Sequence, residues 1–122
     1  MRPPEAENPA APKAGVRLCA VDDLPDPGAR GFRFRQDQAL FAGFVVRQGE
    51  EFRGYVDSCP HNGWPLAVMD DRYLTREGHR ILCAAHGAVF TPLDGVCVGG
   101  PCAGDRLTPW PVRVSGGEIF TL

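Results

Sequence analysis

Apolar residues fall in short runs over 16–20, 32–34, 40–46 and 52–56, set apart by turn-forming residues. Runs this short predict strands rather than helices. Gln48-Gly49-Glu50 sits between FAGFVVR and FRGYV, which predicts a hairpin leading directly to Cys59. After a polar stretch over 70–80, residues 81–83, 88–91 and 96–98 read as three further strands. Residues 110–114 and 118–121 read as a closing pair joined by Ser115-Gly116-Gly117. The one segment whose pattern allows a helix is 66–72. No internal repeat is present. Residues 1–15 hold Pro3, Pro4, Pro9, Pro12 and Lys13 among Ala and Glu, with nothing to bury, and predict a disordered tail. The remaining 16–122 is the expected domain.

A chain of 122 residues supports one hydrophobic core of useful size. Its 15 Gly and 12 Pro favour many turns, which strengthens the expectation of an all-β domain. Thirteen Lys plus Arg against 15 Asp plus Glu leave a net charge of -2, a poor match to nucleic acid. No apolar stretch approaches the roughly 20 residues that cross a bilayer, and the opening MRPPEAENPAAPKAG lacks the apolar core of a secretory signal. A cytoplasmic protein without a membrane partner is expected. Five cysteines, an odd number, then point to metal ligation and thiols rather than a disulfide framework.

Their spacing carries the chemistry. Cys59-Pro60-His61 and Cys83-Ala84-Ala85-His86 form C-x-H and C-x-x-H, separated by 21 residues, each where a strand gives way to a Gly-containing loop. Two thiolates and two imidazoles are offered from two loop tips. Thiolates are soft donors for iron–sulfur iron, and neutral imidazoles remove negative charge and raise a reduction potential. Gly63 and Gly87 follow the two pairs, as wrapping a cofactor requires. Chance proximity leaves these glycines unexplained. A structural zinc site also accepts two cysteines and two histidines, but its paired cysteines are usually separated by two to four residues. Here each pair is one Cys with one His.

The segments CPHNGWPL, ILCAAHGAVF and GVCVGGPCAGDRLTPWPVRV resemble Rieske [2Fe–2S] domains, particularly the small ferredoxins that serve aromatic-ring-hydroxylating dioxygenases. The resemblance covers about residues 16–122. It implies one [2Fe–2S] cluster per chain, with Cys59 and Cys83 on one iron and His61 and His86 on the other. It also implies an antiparallel β-sandwich from which a small cluster-binding subdomain, about 57–101, projects. Gly99-Gly100-Pro101 is similar to the loop that covers the cluster in that family. The 21-residue spacer is long for such ferredoxins, so an insertion over 69–78 is expected to alter the partner surface without touching the ligands. The respiratory branch adds a cysteine to each cluster loop, where Trp64 and Ala85 stand here, and carries hydroxyls where Ala88 and Phe90 stand. Packing and hydrogen bonds alone must then hold the loops together.

The resemblance implies an electron carrier rather than an enzyme, taking electrons from a flavin-dependent reductase to a terminal oxygenase. A Rieske-like small subunit of a larger oxidoreductase, such as an assimilatory nitrite reductase, is the alternative, and a redox sensor a third. A complete oxygenase needs two further histidines and a carboxylate, and only His79 is left. Among the remaining residues, Cys97 and Cys102 are read as thiols or as a disulfide stiffening the cover, Cys19 and Trp110 as core, and His79 as an exposed loop residue. Trp64 and Pro65 could rim the cluster or pack beneath it. Asp70-Asp71 reads as a solvated turn or as a steering pair.

Overall fold

A computed structural model of the chain describes residues 9–60, 65–67, 71–84, 87–100 and 104–122. Among the described residues, nine strands form three three-stranded sheets, and every pairing among them is antiparallel. β1 (Arg17–Ala20), β9 (Glu118–Thr121) and β8 (Val112–Ser115) make the first, in the order β1-β9-β8. β2 (Gly28–Gln36), β3 (Ala39–Gln48) and β4 (Glu51–Val56) make the second. β5 (Ile81–Leu82), β6 (Val89–Phe90) and β7 (Cys97–Gly99) make the third.

The second sheet is the middle layer. Side chains alternate across a strand, and β3 uses both faces: Phe44 and Val46 enter one buried cluster, Phe41 and Val45 the other. The first cluster joins the middle sheet to Ile81, Phe90 and Cys97 of the third sheet. The second joins it to Cys19 of β1 and Ile119 of β9, with Trp110 at its centre. Both Cys19 and Trp110 are buried, as their sequence contexts predict. Gly43 makes room for the indole, since a Cβ there would lie 2.5 Å from Trp110 Cε3.

The predicted strands recur with changed lengths. β2 runs over nine residues, well beyond the predicted 32–34, and meets β3 in a tight turn at Asp37-Gln38, with Asp37 left-handed at φ 55°. Asp tolerates that conformation, yet Asp-Gln lacks the glycine that usually flags such a turn. The hairpin at Gly49-Glu50 closes on a Gln48–Glu51 pair. Residues 110 and 111 do not join β8: the Trp110 N–H donates to the Gly54 carbonyl at 2.8 Å, stitching the last segment to β4. Within 66–72, the described residues 66, 67, 71 and 72 are not helical. The only helical turn among the described residues is a short 3-10 turn at Val21–Asp23.

The tail expected over 1–15 needs correction for its second half. Residues 1–8 lie outside the described residues, but Ala10 is buried in the second cluster. Thr121 Oγ1 donates to the Lys13 carbonyl at 2.6 Å and accepts from the Val16 N–H at 2.8 Å. Proline-rich composition suppresses helix and sheet, but backbone carbonyls can still dock on a strand end. The segment over 69–78, expected to be an insertion, is docked where it is described. Leu74 bridges Ile81, Thr75 N–H donates to Arg80 O at 2.8 Å, and Gln48 Nε2 donates to Gly78 O at 2.9 Å. It forms a short hairpin feeding β5.

Candidate metal centre

Cys59 follows the end of β4 and Cys83 the end of β5. Both are buried, with 1% and 0% of their surface exposed, and both belong to the first cluster, beside Leu66, Ala88 and Phe90. The fold thus unites two thiols that lie far apart in the chain. His61 and His86 lie outside the described residues, as do Gly63, Trp64, Ala85, Pro101 and Cys102.

The backbone around Cys83 is closely tied. Its N–H donates to Ala88 O and its carbonyl accepts from Gly87 N–H, both at 2.8 Å, so residues 87 and 88 return alongside Cys83. Gly87 takes φ 74° there, and no atom lies within 4 Å of where its Cβ would stand. Gly100, at φ 89°, lies across the loop: a Cβ on it would be 2.7 Å from Ala88 Cα and 3.1 Å from Ala88 N. Only glycine permits that backbone to close over the loop. Two buried thiols beside glycine-lined loops fit an iron–sulfur group, which needs soft donors and close backbone approach.

Asp57 organises the interior. It is 8% exposed, and its backbone N–H donates to Ala42 O of β3 at 2.9 Å. Oδ1 accepts from the Leu66 N–H at 2.8 Å, and Oδ2 accepts from the Tyr73 hydroxyl at 2.9 Å. Leu66 O in turn accepts from Ala84 N–H, and Tyr73 O accepts from Leu82 N–H, both at 2.8 Å. Tyr73 stacks on Phe44 with centroids 4.2 Å apart and planes 6° off parallel. Burial first, then the charge and hydrogen bond of Asp57, hold its hydroxyl well above the ordinary tyrosine range. Tyr55 donates to Pro92 O at 2.7 Å, and burial pushes its hydroxyl up to about 12. Spacing in the sequence does not reveal Asp57, Leu66 or Tyr73. The available signal is an acid directly after the apolar run of β4, where burial demands partners.

Cys97 is buried in the same cluster, its thiol 3.2 Å from Gly99 O. His79 and Pro65 are exposed. Asp71, left-handed at φ 62°, accepts from the Gly31 N–H at 2.7 Å and so caps the open edge of β2. No helix among the described residues is long and apolar enough to cross a membrane.

A family model described as the Rieske [2Fe–2S] domain matches residues 15–113. The chain is 33% identical over 103 residues to the 3-phenylpropionate/cinnamic acid dioxygenase ferredoxin subunit of Photorhabdus laumondii, covering 84% of this chain and 89% of the relative. It is 34% identical over 105 residues to the protein of the same name from Escherichia coli, covering 86% and 90%. It resembles a chain in the complex of reduced oxygenase and oxidized ferredoxin in carbazole 1,9a-dioxygenase, with TM-score 0.69, 25% identity and coverage of 90% and 94%. The ferredoxin of carbazole 1,9a-dioxygenase from Nocardioides aromaticivorans shares the fold, with TM-score 0.66, 24% identity and coverage of 89% and 97%. With two buried cysteines at the ends of β4 and β5 and a family match over most of its length, the chain belongs to the Rieske [2Fe–2S] domain family.

Proposed function

We propose that this protein is a one-electron carrier whose [2Fe–2S] cluster, one per chain, is held by Cys59, His61, Cys83 and His86 in a subdomain spanning about 57–101. The carrying observation is the burial of Cys59 and Cys83 in one apolar cluster under glycine-lined loops. When bound, the cluster supplies reversible one-electron chemistry at a potential raised by imidazole ligation. The chain's part is to deliver two thiolates to a dry interior, hold their loops and keep water from the sulfur side. No substrate chemistry is assigned to these residues.

Electrons would come from a flavin-dependent reductase and leave to a terminal oxygenase, a reading supported by its likeness to proteins named as ferredoxin subunits of a dioxygenase. A cytoplasmic location suits the donor set, because a reducing compartment keeps such cysteines as thiols. Protein produced with iron and sulfide should be red-brown, hold two irons and two sulfides per chain, and accept one electron. His86→Ala should lose the cluster, because an open iron position admits water. Stoichiometric zinc without visible absorption, or an unchanged spectrum in His86→Ala, would overturn the ligand assignment.

A further inference from the structure

We propose that Asp57 is the positioning residue that sets the separation of the two cysteine loops; this rests on Cys59 and Cys83 being cluster ligands. Asp57 lies two positions before Cys59 and is fixed from behind by its N–H on Ala42 O at 2.9 Å. Its two carboxylate oxygens reach in different directions. One holds the Leu66 N–H at 2.8 Å, and the Leu66 carbonyl holds the N–H of Ala84, just after Cys83. The other holds the Tyr73 hydroxyl at 2.9 Å, and the Tyr73 carbonyl holds the N–H of Leu82, just before Cys83. Both neighbours of Cys83 are therefore linked, through one intervening residue each, to a single side chain beside Cys59.

This arrangement is a ring rather than a string. Displacing Cys83 from Cys59 must stretch both arms, because Leu82 and Ala84 flank it on either side. The carboxylate is well suited to the joint: both of its partners donate, and an ionised carboxylate only accepts. Hydrogen bonds to a charged acceptor are the strong ones, and buried here they face little competition from water. Tyr73 is anchored independently by its stack on Phe44 of β3, so its hydroxyl is presented to Asp57 by a rigid ring. Apolar packing alone would keep both loops near one another, but it is non-directional. The two arms add the direction.

The test compares the holo wild-type protein with Asp57→Ala, Asp57→Asn and Tyr73→Phe. Cluster release into excess iron chelator is timed at a temperature where circular dichroism shows the β-sheets intact, and the reduced cluster's electron paramagnetic resonance spectrum is recorded. Asp57→Ala should release the cluster at least about tenfold faster and shift and broaden the spectrum. Tyr73→Phe, losing one arm, should accelerate release by about threefold, and adding it to Asp57→Ala should add nothing. Asp57→Asn can still accept from Leu66 and donate to the Tyr73 oxygen, so it should restore the spectrum and bring release within about threefold of wild type. Wild-type release and spectrum in Asp57→Ala would overturn the positioning role. If that variant does not fold, wild-type release in Tyr73→Phe would do so. A wild-type protein that binds no cluster would instead overturn the ligand assignment on which the inference rests.

Discussion

Ala88 and Phe90 bring no hydroxyl to the neighbourhood of Cys83, and both are fully buried. Ala88 O accepts from the Cys83 N–H at 2.8 Å, so a hydroxyl on residue 88 would enter the interior close to that cysteine. A hydrogen bond to sulfur favours the reduced, more negative cluster and raises its potential. Such bonds contribute about 1.5 to 3 kcal/mol before the difference between oxidation states is taken, and about 1.4 kcal/mol corresponds to some 59 mV for one electron. The present protein should therefore lie toward the lower part of the Rieske range of about -150 to +300 mV. Ala88→Ser and Phe90→Tyr should each raise the potential by tens of millivolts up to about a hundred, and together by most. Midpoint titration of the intact variants at one pH checks this. The Phe90→Tyr hydroxyl has a second readout, because without an acceptor it would cost stability in this core.

Elements were legible in the sequence where their cause is local. The Gly49-Glu50 hairpin and the paired β8 and β9 both follow from residues a few positions apart. β2 was less so: GARGFRFRQ mixes Arg and Gly with Phe, and its nine-residue length comes from pairing with β3 along its whole run. Asp57 is illegible for the same reason, since its partners lie 9 and 16 residues away and meet only after folding. Close contacts between elements are similarly hidden. A Cβ on Gly54 would lie 2.1 Å from the Trp110 carbonyl oxygen, while the Trp110 N–H donates to Gly54 O at 2.8 Å. Gly54→Ala must push the two backbones apart and lose that bond, costing about 2 to 4 kcal/mol. Gly49→Ala meets no atom within 4 Å and carries only the left-handed penalty at φ 65°, about 1 kcal/mol. The denaturation midpoint followed by circular dichroism should fall clearly further in Gly54→Ala than in Gly49→Ala. Equal midpoints would show that β4 and the 108–110 segment separate without cost.

For the molecule as a whole, the middle sheet divides two interiors with different dependence on metal. The cluster that includes Cys59 and Cys83 is completed by the third sheet, whose strands are only two or three residues long. Strands this short supply few ladder bonds, and much of their order must come from loops anchored at the cysteines. The opposite interior contains Cys19 but neither candidate thiol ligand, and is built from the longer strands around Trp110, with Phe32, Phe34 and Phe41 packed on the indole. Removing the cluster should therefore open one side before the other. In apo-protein prepared by acid and chelator under reducing conditions, amide hydrogens of β5, β6 and β7 and of residues 83 and 84 should exchange at least about tenfold faster than in holo-protein. Those of β3 and of the β8–β9 pair should change by less than about threefold, because their ladder hydrogen bonds run between strands of the first two sheets and none is shared with the third. Exchange followed residue by residue by nuclear magnetic resonance distinguishes the outcomes. Uniform loss of protection across all three sheets would mean that the cluster holds the entire fold. Unchanged protection in β5–β7 would mean that the ring through Asp57, Leu66 and Tyr73 fixes the cysteine loops before any metal arrives.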